Sequence, residues 1–99
     1  MYEIEFSASV EKDMKKIRIY DRRTILDAIE KQLAHEPSLE TKNRRLLAGL
    51  IPSFESVLPI WELRVGDFRV FYDVDRDVRK VYVRAMRKKP PHRTTDQIL

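Results

Sequence analysis

Residues 61–74 read Trp-Glu-Leu-Arg-Val-Gly-Asp-Phe-Arg-Val-Phe-Tyr-Asp-Val. Trp61, Leu63 and Val65 alternate with Glu62 and Arg64, the period of two expected of a half-buried strand. Gly66-Asp67 then breaks the run, as a tight hairpin turn does. Phe68–Val74 is an almost unbroken apolar strand, which places it centrally in a sheet. After a turn at Asp75–Asp77, Val78–Met86 supplies a third strand. The second half of the chain therefore predicts an antiparallel meander.

Upstream of the meander the period changes. Tyr2, Ile4 and Phe6 alternate with acids, predicting a first strand. Ser7 or Ser9 is a candidate cap for a helix carrying Val10, Met14 and Ile17 on one stripe. Asp21 is a candidate second cap, and Ile25, Leu26, Ile29 and Leu33 form a second stripe. Glu36-Pro37 ends that helix, because proline disfavours helical geometry in the residue before it. The short link predicts a helical hairpin. Residues 36–59 are irregular, with Leu39, Leu46, Leu47, Leu50 and Ile51 expected to pin them to the core. The predicted fold is α+β, a single domain over residues 1–99. It has an N-terminal strand, a two-helix hairpin and a three-stranded antiparallel meander, with the helices packed on one sheet face.

Composition narrows the chemistry. The 99 residues contain no Cys, which excludes a disulfide scaffold, a thiol nucleophile and a Cys-ligated metal site. Two Gly are too few for a glycine-rich phosphate loop. Neither His has a partner at ligand spacing, so no metal is expected, and no cofactor is implied. No apolar run approaches the ~20 residues of a membrane span, and no secretory pattern opens the chain. A cytoplasmic location, away from membranes, is the expectation.

Charge is distributed unevenly. The formal net charge is +4, yet residues 1–40 carry nine acids against seven bases, and residues 41–99 seven acids against 13 bases. Arg84–Arg93 holds Arg84, Arg87, Lys88, Lys89 and Arg93 with no acid, and Lys42, Arg44 and Arg45 form a second cluster. These residues, Arg87 among them, are the candidate RNA contacts, since clustered cations displace counterions from phosphates. For Arg87-Lys88-Lys89 alone, a solvated charged face is the ordinary reading. Strand parity sharpens the case. It predicts Arg64, Arg69 and Arg84 on an open sheet face with Phe71 and Tyr82, a surface suited to RNA phosphates and unstacked bases.

Four further residues have competing readings. His35 ends a helix, where the dipole favours a cation. His92 lies in Pro90-Pro91-His92-Arg93 and is a candidate general acid or base, although an exposed loop histidine is the commoner case. Glu62 and Asp73 stand between arginines, and ion pairing is their expected role.

The 61–74 hairpin, with the strand-helix opening Tyr2–Ile17 and the stretch Lys42-Asn43-Arg44-Arg45-Leu46, resembles the RelE/ParE superfamily of bacterial toxins. The resemblance spans almost the whole chain. It implies a toxin neutralised by a cognate antitoxin protein. The RelE-like branch, favoured here, cleaves mRNA on the ribosome, whereas the ParE branch poisons DNA gyrase; an inactive RNA-binding relative is a third reading. By this resemblance Arg69 contacts the scissile phosphate, Arg64 precedes the turn, and Arg87 or Lys88 follows the last strand as a further catalytic cation, Arg87 being favoured. Ile60 and Glu62 stand where RelE carries lysines, and Thr94 or a neighbour where it carries a tyrosine. The resemblance then leaves proton transfer unassigned; other branches use His and Glu, for which His92 and Glu62 are the candidates here. The implied reaction is attack by a ribose 2′-OH on the adjacent phosphorus, giving a 2′,3′-cyclic phosphate without a metal.

Overall fold

The computed structural model describes residues Met1–Leu99. The elements are β1 (Glu3–Phe6), α1 (Ala8–Lys15), α2 (Ile19–Leu33), β2 (Arg44–Leu46), β3 (Trp61–Val65), β4 (Phe68–Asp75), β5 (Lys80–Lys88) and α3 (Thr95–Ile98). They build one five-stranded sheet in the order β1-β5-β4-β3-β2. The meander β3-β4-β5 is antiparallel as expected, with β4 central. β1 joins β5 in parallel, and the unforeseen β2 pairs antiparallel with β3. Gly66 sits at φ 57°, the left-handed region that a two-residue hairpin requires at its first position.

The two longer helices cover one sheet face. Val10 and Ile17, from α1 and the link after it, and Ile25, Ile29 and Leu33 of α2 are buried against Trp61, Leu63, Val70, Tyr72, Val81, Val83 and Met86. Each buried aliphatic contributes roughly 1.5–3 kcal/mol. Leu26 departs from the predicted stripe and is 38% exposed. Ser7 precedes α1, but its hydroxyl makes no cap bond and donates instead to the Arg84 carbonyl. Ser9 donates to the same carbonyl. Arg18, not Asp21, is the N-cap position of α2.

The opposite sheet face is not open, and here the parity expectation is corrected. Leu47, Ile60, Phe71 and Ala85 form a second buried cluster beneath Leu50, Phe54, Ile98 and Leu99. The irregular segment and the short α3 thus lie on the face that the alternation left bare. Leu47 is buried, and Leu46 and Leu50 pack partly buried against the two clusters, while Leu39 and Ile51 are exposed.

A β-bulge decides what reaches this second face. Phe71 is opposite Ala85 and Tyr72 is opposite Val83, which leaves Arg84 unpaired in the ladder. The extra residue reverses side-chain parity downstream. Met86, which strict alternation would put on the face of Tyr82 and Arg84, turns into the helix-side core. Arg87 turns out to the second face, directly opposite Arg69.

Candidate active site

Two rows of side chains cross the second face. In the first, Arg45 of β2 is opposite Glu62 of β3, Glu62 opposite Phe71 of β4, and Phe71 opposite Ala85 of β5. In the second, Arg64, Arg69 and Arg87 lie side by side on β3, β4 and β5. The first row is covered by the tail. Glu62 is 3% exposed, and the Thr95 hydroxyl donates to its Oε2 at 2.6 Å. Arg45 donates to Thr95 Oγ1 at 3.1 Å and pairs with Glu62 Oε1 at 3.4 Å.

The arginine row is held differently. Arg69 is 6% exposed and its Nη1 donates to the Gly66 and Phe68 carbonyls, both at 2.8 Å. Its Nε is buried with no hydrogen-bond partner, and so is that of Arg87. The nearest carboxylate to Arg69 is Glu62, at 4.0 Å. The Arg87 guanidinium passes over the Phe54 ring at 5.7 Å. Burial lowers the Arg69 pKa from its ordinary value, and the charge of Arg64 lowers it further, while Glu62 and Asp67 act in the opposite sense. Like charges directly opposite one another destabilise a sheet, and an orphaned buried donor costs roughly 1–3 kcal/mol. Three cations thus lie in register, Arg64 exposed and the other two each with a buried, unpartnered Nε.

The other candidates are placed less evenly. Arg64 is exposed, as are Lys42, Lys88 and Arg93. Arg84 reaches the second face but is occupied: its Nε and Nη2 donate to Asp73 at 2.6 and 3.2 Å, and its guanidinium lies over Tyr82 at 4.9 Å. Asp73 therefore pairs with Arg84 rather than Arg69. Arg44 is a correction to the candidate RNA contacts. It is buried on the helix side, where its guanidinium donates to the Leu39 and Gln32 carbonyls. Lys89 uses its backbone N–H to bind the Asp67 carbonyl beside the hairpin turn. His92 is exposed at φ 65° in a turn closed by Arg93 N–H on the Pro90 carbonyl. No hydrogen bond joins it to Arg64 or Arg69. Thr95 and Phe54 escaped the sequence reading, because both lie in segments without periodicity.

Residues 4–89 match the family model described as the ParE toxin of type II toxin–antitoxin system, parDE. The chain belongs to the ParE toxin family. Two solved structures have the same fold as this ParE-family toxin. One is the toxin–antitoxin complex RelBE2 from Mycobacterium tuberculosis, with a TM-score of 0.69 at 17% identity, covering 89% of this chain and 98% of that one. The other is the archaeal RelE–RelB complex from Pyrococcus horikoshii OT3, also at 0.69, with 22% identity over 94% and 98% of the two chains. No curated protein matches the sequence of this ParE-family toxin. None of its helices is long and apolar enough to cross a membrane.

Proposed function

We propose that this toxin is a ribosome-dependent mRNA endonuclease of the cytoplasm, held in check by a cognate antitoxin. The observation that carries the reading is the Arg64-Arg69-Arg87 row, with a buried unpartnered Nε on Arg69 and on Arg87. Guanidinium groups bind phosphate through paired donors and stabilise the charge that builds on it during transfer. The 2′-oxygen bonds to phosphorus, the bond from phosphorus to the 5′-oxygen breaks, and a 2′,3′-cyclic phosphate remains. Glu62, 4.0 Å from Arg69, takes the 2′-OH proton once Thr95 frees its Oε2. The departing 5′-oxygen gains a proton from the ribosome, since no contact brings His92 to the row. The family match supports the antitoxin, and the two structures of like fold, each solved as a toxin–antitoxin complex, agree with it.

A second reading, DNA gyrase inhibition, is favoured by the match to a ParE model. Primer extension on mRNA translated with the purified toxin, beside a gyrase supercoiling assay, separates the two. Discrete cuts with supercoiling unaffected are expected. Intact mRNA with supercoiling blocked selects the gyrase reading.

A further inference from the structure

Two basic stretches far apart in sequence meet at one cleft. Residues 12–23 hold six Lys and Arg against two Asp, a local excess hidden by the acidic balance of residues 1–40. Of these six, Arg22 is spent on the fold: its Nε donates to the Ile17 carbonyl at 2.6 Å, closing the end of α1. Lys16 and Arg18 instead line a cleft of about 460 Å³ between the end of α1 and the β4-β5 end of the sheet. Lys88 of β5 lines it from the other side; it sits opposite Phe68 and so shares the helix-side face. The acid in the cleft, Asp13, is engaged, accepting the Met86 N–H at 3.0 Å. The second acid of the stretch, Asp21, accepts from Arg18 at 3.2 Å, an ion pair at the surface. Lys16 and Lys88 are exposed and make no ion pair. Ile17, Phe68 and Met86 form an apolar side to the cleft.

We infer that this cleft binds a single-stranded RNA segment, an unstacked base against Phe68 and its phosphate on Lys16 and Lys88. The inference rests on the reading that the toxin acts on RNA, and it adds a binding site to the arginine row. The chemistry is that of single-strand recognition, in which aromatic faces take bases and cations track the backbone. The cleft and the row are neighbours through β5. Arg87 contributes to the cleft wall while its guanidinium reaches Phe54 on the opposite face, and Lys88 follows it in sequence. RNA that crosses this end of the sheet meets both.

The test uses Lys16→Glu/Lys88→Glu and Phe68→Leu in the full chain. The probes are a fluorescein-labelled single-stranded oligoribonucleotide, followed by anisotropy over a salt series, and purified ribosomes, followed by co-sedimentation. The lysine variant should lose at least tenfold in oligonucleotide affinity. Its log–log salt slope should flatten by about 0.7 for each phosphate that it no longer neutralises. Phe68→Leu should lose roughly tenfold with the slope unchanged, as stacking does. Loss confined to ribosome co-sedimentation would place the phosphate in ribosomal rather than messenger RNA, with the same chemistry. A lysine variant with oligonucleotide affinity, salt slope and ribosome co-sedimentation all unchanged would overturn the inference, as would a wild-type toxin that binds neither probe. If the lysine variant keeps RNA but releases the antitoxin, the cleft is a protein-docking site and the inference is wrong. Failure of the catalytic reading is seen separately: cleavage by Arg69→Ala, or none by wild type, leaves these binding measurements intact.

Discussion

Arg69 and Arg87 face one another across β4 and β5, and the Nε of each is buried without a hydrogen-bond partner. Cross-strand like charges and orphaned donors both oppose folding. A dianion seated on the row offsets the repulsion among the three cations. Phosphate or sulfate should therefore raise the melting temperature more than chloride at matched ionic strength. At ten times its dissociation constant such an ion stabilises the fold by about 1.4 kcal/mol. Arg69→Ala should lose that increment. Equal effects of the three salts on wild type would show that the row binds no anion.

Thr95 ties the tail to the face through its bond to the buried Glu62. Thr95→Val keeps the shape and leaves the carboxylate short of a donor. Urea unfolding should register a loss of roughly 1–3 kcal/mol, with Thr95→Ser close to wild type. A Thr95→Val variant as stable as wild type would mean that α3 does not hold Glu62 in solution.

Tyr72 provides the pH dependence. Its hydroxyl is buried and donates to the Pro37 carbonyl at 2.7 Å. Burial raises its pKa above the ordinary 10.0. The unfolded chain therefore releases this proton near pH 10 while the native protein keeps it. Native protein then binds more protons than unfolded, so stability falls as pH rises beyond about 10. Tyr72→Phe should be less stable at neutral pH, by about 1–3 kcal/mol for the orphaned carbonyl, yet lose part of the alkaline slope. Denaturant melts from pH 8 to 11 check the sign, and parallel slopes for the two proteins would contradict it.

The meander was legible because β3 alternates cleanly, β4 is an almost unbroken apolar run, and Gly66 marks the turn between them. The helix-side core was legible for the same reason, Leu26 apart. The bulge at Arg84 was not, because nothing in Val81–Met86 marks where an extra residue will sit. That single residue sends Met86 inward and Arg87 outward, so parity found the Arg64-Arg69 pair and missed the third arginine beside it. The cover on the second face was equally hidden. Leu47, Phe54, Ile98 and Leu99 come from stretches with no period, and only long-range packing brings them over Phe71. Arg44 illustrates the limit of charge counting: one residue from the exposed Arg45, it points to the other sheet face and is consumed by carbonyls.

His92 tests the tail. A general acid must come within hydrogen-bond reach of the atom it protonates, and this ring is exposed on its turn. His92→Gln should leave cleavage within about threefold of wild type. A fall of roughly 10²–10⁴-fold, the usual effect of removing a general acid, would mean that the tail swings onto the row during reaction.

The most direct measurement is single-turnover cleavage of mRNA on programmed ribosomes by wild type and by Arg69→Ala, with folding of the variant verified by its melting curve. Removing a charge-assisted hydrogen bond to the transition state costs on the order of 3 kcal/mol, about a hundredfold in rate. Wild type should leave 2′,3′-cyclic phosphate ends, and folded Arg69→Ala should be slower by about that factor. A folded Arg69→Ala that cleaves at the wild-type rate, or a wild-type toxin that leaves mRNA intact while blocking gyrase, would contradict the assignment of the arginine row to phosphoryl transfer.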